Sequence, residues 1–516
     1  MSKTYSDKLH RLVRSLSPTE KRYFRIFLNG KPGVDTKYTQ LFEALATTEQ
    51  FDDEKWKAII YKSQSIGSKK FSELKAYLYE LILKCLQNYD ELHSIQQRLN
   101  HLLQSVAVLF KRGHYMDCRE LLSKARKLAK QYESFAHLIE IVRWEKQLAY
   151  TRMDVDFLHK NLGRLQEDEA RAMEQLRNAA HYRRAFFQAY TTIKKDPLQR
   201  GSDRVARLRQ LVEQEAFSDP DAAISHTARV LYYRTLSLYY HTALEPEKFY
   251  ETGKILIALQ ESQPHFLREN LSDYIATLSN QALACGLLQK YSEVQACLVK
   301  LRDLQPITED DRRKIHRQYF STFFALCTYT GDFGAGRLEM ERCLAEAEVF
   351  DLRDYETGSF HLQFVPICIG FGDFNRALDH LNHWLAQRRT LGREDLQSLA
   401  RMLSLLLHFE LGNFLLLDSQ LRTSTRFLKR KNRLHELERR FMHGIFEAIK
   451  LPDARGQREI FAKIKNDLEA KAQEPETRAL LQTFDLLSWL DAKARGQQFA
   501  TVVREKYLRE MEARQS

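Results

Sequence analysis

An aromatic ring set in Gly372-Asp373-Phe374-Asn375-Arg376-Ala377-Leu378 recurs along this chain at near-constant intervals, and that recurrence limits the folds open to it. Aligned on the ring, the positions are Tyr115, Phe157, Phe249, Tyr291, Phe333, Phe374 and Phe414, with steps of 42, 92, 42, 42, 41 and 40 residues. The 92-residue step reads as two units with a longer loop, Val205 filling the vacant place. Three residues after most anchors stands a small or apolar residue: Cys118, Leu208, Val294, Gly336, Ala377 or Leu417. Seven after stands Leu122, Val212, Leu256, Leu298, Met340, Leu381 or Leu421. Those offsets lie on one face of a helix.

At 516 residues the chain is too long for a single compact core, which leaves several domains or a solenoid that grows by stacking. The repeat favours the solenoid. Only 19 glycines and 10 prolines fit a chain that is mostly helix. No apolar run approaches the 18 or so residues of a membrane span, and Met1-Ser2-Lys3-Thr4-Tyr5-Ser6-Asp7 has no apolar signal core, so a cytosolic protein is expected. Cys85, Cys118, Cys285, Cys297, Cys327, Cys343 and Cys368 lie far apart with no C-x-x-C pair, which is neither a zinc spacing nor a disulfide framework. They read as small buried residues. A net charge of +12 suits an acidic partner or plain solubility, and charge alone does not choose.

Residues 1–97 lack the anchor and read as a separate helical module. Ser17-Pro18-Thr19-Glu20 is a helix start in which Ser17 caps, Pro18 suits the first turn and Glu20 returns a bond. The helix that follows buries Phe24, Phe27 and Leu28 and exposes Lys21, Arg22 and Arg25. Residues 1–37 carry a net charge of +6, open to two readings: a nucleic-acid-binding helical domain, or a solvated cap on the solenoid.

From about residue 98 each unit reads as two antiparallel helices, A then B, joined at the anchor. Residues 355–371 form an A helix with two apolar rows, Phe360, Phe364, Ile367 and Phe371 beside Leu362, Val365 and Ile369, so neighbours must cover both flanks. The B helix from Phe374 to about residue 389 has a single stripe of Phe374, Ala377, Leu378, Leu381, Trp384 and Leu385. The next A helix repeats the two-row division with Leu396, Leu399, Leu403 and Leu406 beside Met402, Leu405 and Phe409. The fold class expected is all-α, a right-handed α-solenoid of helical hairpins whose A helices line the inner surface. The ring follows a glycine at Gly113, Gly331, Gly372 and Gly412, where an A helix ends and the chain turns sharply.

The G-x-[FY] start of Gly372-Asp373-Phe374 and Gly331-Asp332-Phe333, with a small residue three positions on, resembles the second helix of tetratricopeptide repeats. The usual period of that family is 34, so this chain is similar to its longer-helix class found in bacterial regulators. The resemblance covers residues 98–450, implies the fold and carries no catalytic residues. Residues 451–516 read as degenerate repeats with two final hairpins capping the stack. The N-terminal segments 16–24 and 71–80 also resemble uncharacterised bacterial proteins of about this length, which implies no function.

Candidate sites each have a plain alternative. His380 and His383 begin a metal site only if further ligands join them, and none is evident, so they read as solvated surface histidines and no metal or cofactor is expected. Gly331, Gly334 and Gly336 lack the strand and spacing of a phosphate loop and fit close helix crossing. Tyr232-Tyr233 and Tyr239-Tyr240 lie seven apart on one A helix that cannot bury all four, which makes Tyr233 and Tyr240 the candidates to meet a partner. Arg312, Arg313 and Arg317, with Lys314, open another A helix against the dipole, where Glu309, Asp310 and Asp311 balance the field or the cations meet a ligand. The run 422–440, including Arg426, Lys429, Arg430, Lys431 and Arg433, carries a net +6 and reads as a docking patch for an acidic segment or phosphate backbone, or as solvated charge. With no nucleophile set beside a base, the role expected is a non-enzymatic scaffold that binds a protein segment on the concave surface. The second reading is a nucleic-acid-associated regulator using residues 1–97.

Overall fold

The structure, a computed structural model, describes residues 6–29, 36–48, 51–61, 68–90, 94–194, 201–350, 358–386, 394–430, 436–451, 453–470, 481 and 484–515. Among these residues every regular element is a helix. None is long and apolar enough to cross a membrane. The chain divides into two compact units, the first of residues 1–182, 223–229 and 264–269, the second of 183–222, 230–263 and 270–516.

The first unit opens with the helices Ser6–Ser15, Pro18–Asn29, Thr36–Thr47, Asp53–Tyr61 and Ser68–Asp90. The Glu20 amide donates to Ser17 Oγ (3.2 Å) and the Ser17 amide to Glu20 Oε2 (2.7 Å), the reciprocal cap that the sequence predicts. Phe24 and Leu28 enter a core with Leu9, Val13, Phe42, Trp56, Phe71 and Ile82, while Arg22 and Arg25 stay exposed. A further core gathers Leu99, Val106, Leu122, Phe135, Ile141 and Leu148 from Ile95–Phe110, Tyr115–Gln131 and Phe135–Thr151.

One turn geometry joins helix to helix. The chain enters the left-handed region at Gly113 (φ 78°), Gly331 (74°), Gly372 (83°) and Gly412 (69°), the four glycines ahead of anchor rings. The next amide bonds a carbonyl five residues back: His114 to Leu109 (3.1 Å), Asp373 to Cys368 (2.9 Å), Asn413 to His408 (2.9 Å). Carbonyls that a helix end leaves open are thereby satisfied. The following helix begins on the ring itself in Tyr115–Gln131, Tyr291–Asp303, Phe333–Ala347, Phe374–Ala386 and Phe414–Arg430. Residues three and seven further on are buried, as at Cys118, Ala377 and Leu417, and at Leu122, Met340 and Leu381.

The register of the rings is not uniform. Non-glycine turn residues Met153 (φ 52°) and Leu244 (58°) start helices at Val155 and Pro246, so Phe157 and Phe249 lie inside their first turns and do not mark the start. Nor does the 92-residue step hold two hairpins and a loop, because Val155–Lys194 is one 40-residue helix. Phe414 is 46% exposed and Phe371 48%, the latter beneath the Arg337 guanidinium at 4.1 Å. Both stand at the turn, where the enclosing helices have ended.

In the second unit Leu271–Leu287, Glu309–Thr330 and Gly358–Phe371 pack in succession against one another and against their own hairpin partners. Tyr291–Asp303, Phe333–Ala347 and Phe374–Ala386 meet the A helices on either side of them. The apolar rows follow this division: Gly358–Phe371 buries Phe360, Leu362, Phe364, Val365, Ile367, Cys368 and Ile369, whereas Phe374–Ala386 buries Ala377, Leu381 and Trp384. Crossings are close where side chains vanish. A Cβ on Gly370 would stand 2.2 Å from the Phe333 ring, and one on Gly336 would stand 2.9 Å from Ile367. Close crossing thus accounts for Gly336 but not for Gly334, which faces open space. All seven cysteines are free and buried.

The last helix folds back on earlier turns. Phe499–Gln515 packs against Glu309–Thr330 and Gly358–Phe371. Phe499 faces Phe333 (5.6 Å), Tyr507 faces Tyr291 (5.3 Å), and Arg504 Nη1 donates to the Thr330 carbonyl (3.1 Å). Val502 and Val503 are buried by this return, so the last helix covers earlier turns.

Candidate interaction surfaces

The helix His226–Thr242 sorts its four tyrosines by burial. Tyr232 stacks on Phe217 (5.3 Å) and donates to the Phe217 carbonyl (3.0 Å), and Tyr239 lies in a small core with Ala189 and Leu208. Tyr233 and Tyr240 are half-buried. The Lys248 ammonium stands 5.5 Å from the Tyr240 ring, and burial pushes the Tyr240 hydroxyl pKa up. The neighbouring Arg234 is committed, over Phe186 at 4.3 Å and to Asp273 at 2.6 Å.

Glu309–Thr330 starts with a reciprocal cap, Asp311 N donating to Thr308 Oγ1 (3.1 Å) and Thr308 N to Asp311 Oδ2 (3.0 Å). Its first-turn acids also take the cations: Glu309 pairs with Arg312 (3.6 Å) and Asp310 with Lys314. Arg317 is exposed and Arg313 half-buried, neither in an ion pair among the described residues. The acids therefore balance Arg312 and Lys314 locally and leave two of the four cations outside that balance.

Of the basic run, Arg426 is exposed, Arg422 pairs with Asp418 (3.0 Å) and Arg440 with Asp467 (2.6 Å). Lys431 and Arg433, and the side chains of Lys429 and Arg430, lie outside the described residues.

Two features escaped the sequence reading, and a third gives the N-terminal excess of positive charge a definite place. His361, on Gly358–Phe371, brings Nδ1 to 2.9 Å from Nδ1 of His380, and its ring lies 4.4 Å from that of His383. Burial, then neighbouring charge, holds His361 and His380 at about 4, so both are neutral near pH 7. Among the described residues no group of three imidazole, thiolate or carboxylate side chains is placed to hold a metal ion. The offset of 19 residues between His361 and His380 would have located the contact only with the turn at Gly372 already known.

The turn at Met153 exposes Met116 (64%), Tyr150 (73%), Met153 (85%) and Val155 (68%). Arg152 Nη1 sits 3.3 Å from Met116 Sδ, and Arg119 holds Asp154 at 3.0 Å. That bond, with one from the Phe157 amide, keeps the Asp154 carboxyl below its usual range.

The third feature is a cationic corner between Ser6–Ser15 and Pro18–Asn29. Lys21 is lowered by burial and by the nearby charges of Arg14 and Arg25, so like charges crowd there. Arg25 answers Glu43 through two bonds (2.7 and 2.9 Å). Arg14, Lys21 and Arg22 have no ion pair among the described residues.

No family model matches the chain, and no curated protein or solved structure matches it significantly.

Proposed function

We propose that the repeats form a right-handed α-solenoid similar to tetratricopeptide repeats and that the protein is a cytoplasmic, non-enzymatic scaffold holding a protein segment on the concave A-helix surface. The observation that carries this reading is the sorting of rings on His226–Thr242: one tyrosine of each pair is fixed in a core, and Tyr233 and Tyr240, seven residues apart on the same face, stay half-open. Half-open aromatic rings give contact energy at little entropic cost because two torsions fix them. Arg317 adds an unpaired cation on another A helix, suited to an acidic partner. The test is a quantitative affinity capture from the native cell with the full chain and with Tyr233→Ala/Tyr240→Ala. Proteins retained by the first and lost at least tenfold by the second are the expected result. An unchanged set of bound proteins overturns the concave assignment.

A further inference from the structure

We infer that the corner between Ser6–Ser15 and Pro18–Asn29 binds the phosphate backbone of duplex nucleic acid without reading its sequence. This site shares no residue with the tyrosine surface, so the inference stands or falls independently of the scaffold reading.

Charge is the first ground. Arg14, Lys21 and Arg22 meet no carboxylate among the described residues, while Glu20 is committed to the Ser17 amide and Glu43 to Arg25. Arg14 lies in the last turn of its helix, where the dipole welcomes a cation, which explains one positive charge and not three. Crowded like charges raise the free energy of the unbound corner, and an anion would relieve it.

The second ground is what surrounds the charge. The side chains exposed on these two helices and the link between them include Arg14, Ser15, Ser17, Thr19, Arg22 and Arg25, with Ile26 the large apolar one. A protein segment gains most of its affinity from apolar or aromatic anchors in pockets, and this corner offers a single isoleucine and no exposed ring. A phosphate backbone needs cations, forked guanidinium donors and hydroxyl groups, which it does offer. The absence of an exposed ring among those residues also argues against stacking on unpaired bases, hence the duplex.

The test is fluorescence anisotropy of a labelled random-sequence 24-base-pair DNA with the full chain at several salt concentrations. The expected result is binding that weakens steeply with salt. Arg14→Ala/Lys21→Ala/Arg22→Ala should lower the slope of log K against log salt by about 2.7, at about 0.9 per lost phosphate contact. Arg14→Lys/Arg22→Lys should keep most of the slope, and it keeps the test valid if the triple substitution unfolds the module. The inference is overturned by no binding at low salt, by an unchanged slope in the triple variant, by polyglutamate competing as well as unlabelled duplex, or by phosphatidylserine vesicles binding more tightly than the duplex.

Discussion

The turns at Met153 and Gly331 share a positive φ and have opposite surroundings. Both enter the left-handed region between two helices. Around Gly331 the returning helix Phe499–Gln515 lays its backbone so close that a Cβ would stand 3.2 Å from the Arg504 nitrogen. Around Met153 no helix returns among the described residues, and Met116, Tyr150, Met153 and Val155 face solvent. What differs is cover, supplied in one case by a segment some 170 residues further along and in the other left to the Arg119–Asp154 pair and the Arg152–Met116 contact. A turn of this kind is thus a local event, whereas its burial is decided by distant chain.

The largest effect should come from stripping the cover. Phe499→Ala with Val503→Ala removes two buried side chains of the cover, one from the Phe333 ring and one from beside Gly331, and should cost about 4 kcal/mol or more in urea unfolding. Met153→Ala at the open turn should change stability by less than about 0.5 kcal/mol. Equal losses would dissolve the distinction between the two turns. A smaller contrast comes from glycine itself. Gly331→Ala should cost about 2 to 3 kcal/mol, because left-handed strain adds to a tight approach to the Arg504 backbone. Gly113→Ala, equally left-handed but with nothing within 4 Å, should cost about 1 kcal/mol, with both read from the shift in urea midpoint.

The same division explains what the sequence disclosed. Gly113, Gly331, Gly372 and Gly412 announced their turns because an L side chain strains there, and the single stripe of Ala377, Leu381 and Trp384 announced a helix covered on one side. Turns carried by Met153, Leu244 and Gln289 left no such mark, so ring spacing placed Phe157 and Phe249 at helix starts that lie two and three residues earlier. The missing turn inside Val155–Lys194 left no mark either, since a helix that continues needs no special residue. At the candidate surfaces, helix width was enough to foresee that one tyrosine of each pair would stay half-open. Spacing does record that Lys21 and Arg25, four apart on one helix, are neighbours, but the approach of Arg14 to Lys21 and the meeting of His361 with His380 depend on how helices are brought together.

The smallest effect is a gain. Met153 holds φ 52° with its side chain 85% exposed, so it accepts left-handed strain with little packing in return. Met153→Gly removes that strain, about 1 kcal/mol or somewhat more for an L residue, but also loosens the unfolded chain, which takes back part of the gain. A net stabilisation of up to about 1 kcal/mol is therefore expected in urea unfolding of the full chain. Should the variant instead lose stability by that much, Met153 must be packed against something in solution. The open turn would then have a cover of its own, and the contrast with Gly331 would be one of which segment covers each turn.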